Sequence, residues 1–415
     1  MKPDHISLEA KKDGLICAYV ARYITAHIEK HLATVASRKM RDLAKLLIEI
    51  KKYQPSVNNL VEALQPKYFD IIVSATKIIA KYNYVEDRFE SPTLALNMGT
   101  SLKQCCDIAI VLVLKRKELY STLPAAEAEA FLKTMIHLIQ TNWSYGISSR
   151  SASDLLVNKP NKITLLPLAT DLNFFKEYLI NTANSALEKL IKNNKDIKSY
   201  VTVLETVYCR VLLLNRRRPG ELQRSPFYLY DKVIDDQQKY EEFSDIVSLT
   251  ENILLQSLKR IVIKGKRGRG VPVIFSKDVQ EHLSTIFRYR DNIINKNNIY
   301  LFGNPKSSKP LCGYKVLKKH VLSAQLKNPL AITSTKLRKH LATLTQLFNM
   351  TESDIEQLAT FMGHTVGIHK SSYRLPDDVF QTAKISKLLL LMEKGEASQF
   401  KRMQLNEIDI NLDFR

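Results

Sequence analysis

Several residue types are scarce in this sequence, and each scarcity excludes a class of protein. The 415 residues include only five cysteines, none of them in a C-x-x-C pair: Cys17, Cys105, Cys106, Cys209 and Cys312. An odd number without paired spacing disfavours a disulfide framework and a structural zinc site, and it fits a reducing, intracellular setting. With only 12 glycines and 14 prolines, the chain is not collagen-like or of low complexity.

Long apolar runs are also missing. The longest, Ile108–Leu114, has seven residues, whereas a membrane span needs roughly 18. The first six residues contain no apolar stretch of the kind that a secretory signal peptide carries. We therefore expect neither a membrane span nor a secretory signal, and no membrane partner.

Acidic residues are outnumbered, and the imbalance is local. The chain has 62 Lys and Arg against 42 Asp and Glu, a formal net charge of +20, and residues 256–345 alone hold 19 of the bases against three acids. A solvated surface usually mixes both signs, so a stretch of one sign indicates a polyanionic partner. Nucleic acid is the leading candidate. An anionic membrane surface is less well supported, because no basic amphipathic helix with exposed aromatics accompanies the charge.

Apolar residues make up 45% of the chain, enough for a substantial core. Apolar spacing of three and four residues predicts helices in the first 145 residues. They cover Ser37–Tyr53, Ile71–Tyr82, Ser101–Lys117 and Ala125–Trp143. We divide this half into a helical arm (1–30), a helical domain (31–145) and a polar linker (146–162).

The second half combines helices with one hairpin. Two short β-branched runs, Arg260–Ile263 and Val271–Phe275, flank a basic, glycine-rich tip and predict an antiparallel hairpin. Helices are predicted over Asp171–Leu190, Ile197–Leu214, Lys277–Tyr289, Lys336–Met350, Thr351–Met362 and Asp377–Lys394. The expected fold is mainly α with a small antiparallel β-sheet. A mixed α+β domain spans 163–395, and a tail spans 396–415.

Four separated elements carry the candidate chemistry. In chain order they are Arg216-Arg-Arg-Pro-Gly-Glu-Leu222, the Lys264-Gly start of the hairpin tip, Lys336-Leu-Arg-Lys-His-Leu-Ala-Thr343, and Gly363-His364 with Tyr373 nine residues later. Each element alone has an ordinary structural explanation: a solvated basic cluster, a phosphate contact, a helix cap or a core histidine. The order and the spacing together are far more specific.

These elements resemble the tyrosine recombinase (phage integrase) family of DNA strand-transfer enzymes, most of all the integrase-like proteins of eukaryotic, Crypton-type mobile elements. The resemblance covers about Ile163 to Gly395 and implies a catalytic domain there. By position and helical character, it also implies a core-binding, DNA-binding domain over 31–145.

The resemblance also assigns roles to single residues. Arg218 lies three residues before Glu221-Leu222, as the first arginine of the family does, and Lys264 lies eight residues before Pro272, as the hairpin lysine does. The implied catalytic residues are Tyr373, Arg218, Arg338, His364, Lys264 and Thr335. The basic neighbours expected to contact DNA are Lys266, Arg267, Arg269, Arg216 and Arg217.

The implied chemistry is metal-free transesterification. Two arginines would clamp the nonbridging phosphate oxygens with bidentate, permanently charged donors. Tyr373 would be the nucleophile, the hairpin Lys264 the general acid, and His364 a hydrogen-bond donor to the phosphate. A 3′-phosphotyrosyl link conserves the bond energy, so neither a metal, ATP nor another cofactor is expected.

Thr335 departs from the family pattern, in which His usually occupies this position. A threonine can donate a hydrogen bond but cannot act as a base near neutral pH. His340 is no replacement, because it projects about 200° around the helix from Arg338; a buried or capping histidine is the better interpretation. Two hypotheses stay open beside the active enzyme. One is a catalytically impaired DNA-binding relic of a mobile element, and the other is an unrelated helical nucleic-acid-binding protein.

The resemblance implies further properties of the assembly. The partners would be double-stranded DNA and further copies of the chain, two per site and four per synapse, in the nucleus. The run Leu388–Met392 is apolar all round, which a lone surface helix is not. The 377–394 helix would therefore be buried in its own domain or dock into a neighbouring protomer.

Overall fold

The structure, a computed structural model, divides into two compact units, residues 1–163 and 164–415. It describes residues 3–27, 29, 32–115, 124–158, 167–231, 247–265, 268–345, 350–363, 365–368, 389–390 and 392. Apart from Leu389, Leu390 and Met392, the predicted 377–394 helix and the tail lie outside these residues. Within the described parts the fold is mainly helical with two small antiparallel sheets, which confirms the predicted fold class.

The first unit is a helical bundle with one short strand pair. Its helices are α1 His5–Lys12, α2 Gly14–Ala26, α3 Ala33–Tyr53, α4 Leu60–Ala63, α5 Phe69–Ile79, α6 Pro92–Leu114, α7 Ala125–Thr141 and α8 Ser149–Asn158. Strands β1 Tyr82–Asn83 and β2 Arg88–Phe89 pair antiparallel between α5 and α6.

The predicted N-terminal arm is not separate. Leu15 and Ile16 of α2 are buried in the same apolar cluster as Leu46 of α3. Asp13 caps α2 by accepting a hydrogen bond from the Ile16 amide at 2.8 Å, and its second oxygen accepts from the Leu60 amide at 2.7 Å. One buried carboxylate therefore fixes the start of α2 to α4, and residues before 30 belong to the bundle.

The predicted linker is also wrong over most of its length, because α8 lies within it. Ser151 and Asp154 are buried, and the Asp154 carboxylate accepts a hydrogen bond from the Phe89 amide of β2 at 2.8 Å. The segment is polar in composition, and its polar residue Asp154 bonds to the backbone of β2 instead of facing solvent. The division between the units falls at its far end, after residue 163.

The second unit contains helices around one hairpin. The helices are α9 Ala169–Lys192, α10 Ile197–Asn215, α11 Pro219–Leu222, α12 Phe227–Asp231, α13 Leu249–Ser257, α14 Lys277–Ile293, α15 Gly313–Ser323, α16 Ser334–Leu344, α17 Glu352–Phe361 and α18 Val366–Ile368. Strands β3 Lys259–Lys264 and β4 Gly270–Phe275 pair antiparallel from Lys259–Phe275 to Lys264–Gly270. The predicted hairpin is confirmed and is one residue longer at each side of the tip.

Helix α10 is the centre of this unit. It packs against α9, α14, α15 and β4, and its residues are buried on every side, among them Tyr200, Leu204, Tyr208 and Leu212. A helix that is apolar all round requires a surrounding layer of other elements. Asn215, the last residue of α10, is consequently buried, and the helix packs there against strand β4 of the hairpin.

A buried carboxylate joins α10 to α15. The Glu205 carboxylate accepts hydrogen bonds from Lys319 Nζ at 2.6 Å and from His320 Nε2 at 3.1 Å. Burial alone would raise the pKa of Glu205, but the hydrogen bonds from His320 and Lys319 outweigh it and hold the pKa below its ordinary value. The two hydrogen bonds stabilise the ionised carboxylate and, through it, the position of α15.

We expect Glu205→Gln to lower the free energy of unfolding at pH 7 by about 2 kcal/mol, the usual cost of losing hydrogen bonds to a charged group. The folded-state pKa is depressed, so this stabilisation is present above the ordinary pKa of a glutamate, about 4.3, and is lost as the pH falls through the folded pKa. Urea unfolding from pH 7 down to about pH 3, below the ordinary pKa of a glutamate, measures the difference. Glu177→Gln, at an exposed position of α9, should change it by less than about 0.5 kcal/mol. A difference that does not shrink towards low pH would contradict the assignment.

Candidate functional site

The end of α10 is fixed to the hairpin by a single side chain. Asn215 Nδ2 donates to the Ile274 carbonyl at 2.7 Å, and Asn215 Oδ1 accepts from the Ile274 amide at 2.7 Å. Arg216 then adopts a left-handed conformation with φ 51° and ends the helix. The chain turns at this point, and Arg218 follows in extended conformation as the N-cap residue of α11, with Pro219 at the first helical position.

Arg218 is oriented by a carboxylate one turn further along. Its Nη1 donates to Glu221 Oε1 at 3.0 Å, and the Glu221 amide donates to the Arg218 carbonyl at 3.0 Å. Glu221 is buried, whereas about a quarter of the Arg218 side chain is exposed. The R-x-x-E spacing of the sequence is therefore a helical i,i+3 pair that directs a charged guanidinium towards solvent.

Arg338 approaches the same loop from α16. The helix begins where the Thr333 hydroxyl accepts from the Lys336 amide at 3.3 Å, the usual role of an N-cap threonine. Arg338 is buried, and its Nη1 donates to the Arg217 carbonyl at 3.4 Å. Thr335 lies one turn earlier and is exposed. Two arginines far apart in the sequence are thus neighbours in the fold.

Gly363, two residues after the end of α17, lies beside Arg218. It has φ +73°, and a Cβ atom built on it would lie 3.3 Å from Val271 Cγ2 and 3.9 Å from Arg218 Nη1. The preceding Met362 is buried. The Gly-His element therefore begins beside Arg218 and against strand β4.

The hairpin tip is adjacent. Lys264, the last residue of β3, is exposed and pairs with Gly270, next to the Ile263–Val271 pair. Since Val271 lies beside Gly363, this end of the hairpin borders the site. Arg269 is exposed at the tip.

Some predicted site residues fall elsewhere. His364, Tyr373, Lys266 and Arg267 lie outside the described residues. Arg217 was expected to contact DNA, but it is only 1% exposed. Its guanidinium donates to the Pro272 carbonyl and lies 4.4 Å from the centre of the Phe361 ring. The surface prediction for Arg217 is wrong in this structure, because the turn after α10 points this side chain inward.

The positive charge of Arg216 acts on His340. Both residues are partly buried, and burial lowers the pKa of His340, with the positive charge of Arg216 lowering it further. The ring is therefore neutral at pH 7. Arg216 as a DNA contact stays a prediction.

Sequence reasoning missed three residues that shape the site: Asn215, Val271 and Phe361. An asparagine at the end of an apolar helix was the one available signal, since its side chain bonds readily to backbone groups. Val271 and Phe361 have the sequence character of ordinary core residues, and only the fold places them beside Gly363 and Arg217.

The arrangement is suited to an anion. Arg218 and Arg338 both lie at the loop that follows α10, the end of the hairpin with Lys264 is nearby, and guanidinium groups match the oxygens of a phosphate. Among the described residues no group of three or more His, Cys, Asp or Glu could hold a metal ion. None of the described helices is both long enough and apolar enough to cross a membrane.

No protein-family model and no curated protein matches this sequence. Among solved structures the chain is similar to a XerA recombinase, with 12% identity over 90% of this chain and 98% of that one and a TM-score of 0.33. It is also similar to a XerH site-specific recombinase bound to palindromic difH substrate in a post-cleavage complex, with 14% identity over 84% and 80% of the two chains and a TM-score of 0.43. It is similar as well to a XerH site-specific recombinase bound to difH substrate in a pre-cleavage complex. The identity is 15% over 71% of this chain and 84% of that chain, and the TM-score is 0.36. Such identities and scores carry no functional argument, so the functional conclusion depends on the residues of the site.

Gly363 offers a direct test of how the site is built. We expect Gly363→Ala to lower the free energy of unfolding by about 1 kcal/mol, because an alanine at φ +73° is strained. Gly363→Asn is the matched control, since asparagine tolerates the left-handed region while adding the same Cβ atom beside Val271. Urea denaturation compares the two variants. Equal losses would show that crowding against Val271, and not the backbone conformation, makes glycine necessary here.

Proposed function

We propose that this chain is a DNA strand-transfer enzyme of the tyrosine recombinase type, which cleaves and rejoins DNA through a 3′-phosphotyrosyl intermediate. The supporting observation is that Arg218, Arg338 and Gly363, which precedes His364, meet at the hairpin end that carries Lys264, although they are spread along the chain from 218 to 363. Sequence spacing alone does not require this convergence.

The two arginines would bind the scissile phosphate. Transesterification adds negative charge to the nonbridging oxygens at the pentavalent transition state, and prearranged guanidinium donors stabilise that charge by several kcal/mol in a water-poor site. Glu221 already orients Arg218, so little reorganisation accompanies the reaction. His364 would donate one more hydrogen bond to the same oxygens.

Tyr373 would form the covalent link. Its phenolic oxygen bonds to phosphorus and releases its proton to water, while the bond from phosphorus to the 5′-oxygen breaks. Lys264 would donate a proton to the leaving 5′-oxygen as general acid. The reverse reaction with a different 5′-hydroxyl joins the new strand, and the energy of the phosphodiester bond is conserved.

The partner would be double-stranded DNA, held by the exposed basic residues of the tip, with two protomers per site and four per synapse. Thr335 favours a second candidate function, because it occupies the position where the family usually has a histidine and it cannot accept a proton at neutral pH. The alternative is accordingly a DNA-binding protein whose catalysis is impaired.

Covalent capture tests the proposal. We expect a denaturation-resistant adduct when the protein is incubated with a pool of nicked duplexes of randomised sequence, and we expect Tyr373→Phe to abolish it. Gel electrophoresis under denaturing conditions detects the adduct. DNA binding measured across salt concentrations accompanies the assay, because phosphate contacts give affinity that falls steeply with salt.

The outcomes separate the candidates. An adduct that is absent in Tyr373→Phe supports the enzyme and shows that Thr335 is compatible with catalysis. Salt-sensitive DNA binding without an adduct supports the impaired relic. The absence of both, across the randomised pool, would contradict both functions.

Lys264 permits a sharper prediction. We expect Lys264→Ala to slow adduct formation by about 100-fold or more on normal DNA, because the leaving oxygen loses its proton donor. A duplex with sulfur in place of the 5′-bridging oxygen should restore the rate to within about 3-fold of the unaltered protein, since a thiol of pKa about 8.5 leaves without protonation. Lys259→Ala is the matched control on the same strand, where Lys259 lies 4.3 Å from the Tyr230 ring centre, and it should leave both rates unchanged. A failure of sulfur to rescue would exclude Lys264 as the general acid.

A further inference from the structure

Arg217 is among the most completely buried large side chains of the protein, at 1% exposure. Two of its nitrogens, Nε and Nη1, are enclosed and have no hydrogen-bond partner among the described residues. Burial lowers the pKa of Arg217 to about 10, which still leaves the group charged at neutral pH. Burying a charge whose donors are incompletely hydrogen-bonded lowers the stability of the fold. An apolar side chain would fill this space at a lower free-energy cost.

The contacts of the Arg217 guanidinium explain where the charge is used, because they reach two different elements. Its Nη2 donates to the Pro272 carbonyl of β4, and its guanidinium carbon lies over the Phe361 ring of α17, 4.4 Å from the ring centre. The backbone carbonyl of Arg217 accepts from Arg338 of α16 at 3.4 Å.

Each contact is next to a residue of the candidate site. Pro272 follows Val271, which lies against Gly363, and Phe361 is two residues before Gly363. Arg217 itself precedes Arg218. A displacement of any one of these elements would therefore move a candidate site residue relative to Arg218.

The combination of contacts calls for an arginine specifically. The guanidinium lies over the aromatic ring and also donates to a carbonyl, and the compact ammonium of a lysine cannot hold both contacts with a fixed geometry. Because the Arg217 guanidinium is directed at the Pro272 carbonyl and the Phe361 ring, its effect on the reaction would pass through the groups it holds.

We propose that Arg217 is a positioning residue, whose side chain holds β4 and α17 so that the Gly363-His364 element faces Arg218 in reactive geometry. This inference rests on the proposed strand-transfer function. Arg217 would set the rate of the chemical step without contributing to DNA affinity.

The protein contains a matched control. Arg290 is also buried, donates to the Asn298 and Tyr300 carbonyls, and lies 4.4 Å from the ring centre of Phe227. It thus makes the same kinds of contact as Arg217 but touches none of the elements of the site. Arg290→Met therefore reports the general consequence of removing a buried, stacked arginine.

The test compares the single-turnover rate of adduct formation by Arg217→Met, Arg217→Lys and Arg290→Met. The substrate is a duplex identified by covalent capture from the randomised pool. We expect both Arg217 variants to slow the covalent step by about 100-fold, the loss typical of a small misplacement of reacting groups. DNA affinity and the final amount of adduct should stay within about 3-fold, because a purely structural defect would instead reduce the folded, reactive fraction. Arg290→Met should keep the rate. Equal rates for Arg217→Met and the unaltered protein, or equal slowing by Arg290→Met, would overturn the inference.

Hydrogen exchange tests the same linkage without relying on catalysis. The Met362 and Gly363 amides donate to the Leu358 and Thr360 carbonyls at 2.8 and 2.9 Å. Peptides covering residues 352–363 should exchange at least about 10-fold faster in both Arg217 variants but not in Arg290→Met. If the unaltered protein forms no adduct, the proposed function fails, and this exchange still decides whether Arg217 holds α17. If Arg217→Met does not fold, Arg217→Lys decides both measurements, and unchanged exchange together with an unchanged rate would overturn the inference.

Discussion

The paired hydrogen bonds between Asn215 and the backbone of Ile274 are the constraint from which the site follows. They fix the last residue of α10, a helix with mostly buried residues, to Ile274 near the end of β4, so the chain turns at a fixed point before the three arginines that follow. A left-handed Arg216 then redirects the backbone. Consequently, the loop that carries Arg218 is fixed relative to the hairpin, and so it is also fixed relative to the hairpin end that carries Lys264.

The three consecutive arginines illustrate why sequence cannot assign such residues individually. They are chemically identical and adjacent, yet Arg216 is partly buried and lowers the pKa of His340, Arg217 is enclosed under Phe361, and Arg218 pairs with Glu221 at the surface. The backbone turn separates them, and that turn depends on contacts with β4, 55 to 59 residues further along. Only Arg218 carried a local signal, the i,i+3 glutamate.

Sequence patterns predicted α3, α5, α6 and α7 in the first unit, α9, α10, α14, α16 and α17 in the second, and the β3–β4 hairpin. Apolar spacing and β-branched runs reflect local preferences that the fold keeps. The errors arose where polar residues make tertiary contacts. Asp13 ties α2 to α4, and Asp154 ties α8 to β2, so segments interpreted as an arm and a linker belong to the first unit. The candidate site was predicted through Arg218, Arg338 and Lys264, whereas Asn215, Val271 and Phe361 gain their importance only from long-range packing.

The positive charge of the site indicates which kind of ligand its geometry can bind. Arg218, Arg338 and the hairpin end with Lys264 bring positive charge together, which disfavours the folded state unless an anion enters. Glu221 offsets only part of this charge, and it also aims Arg218 outward. Arg217, enclosed behind this surface, adds more positive charge and brings no phosphate contact. Such a placement is understandable if accuracy of position matters more than stability. That condition holds for a site whose ligand gains charge at the transition state, because donors that are already aligned stabilise the growing charge without rearranging.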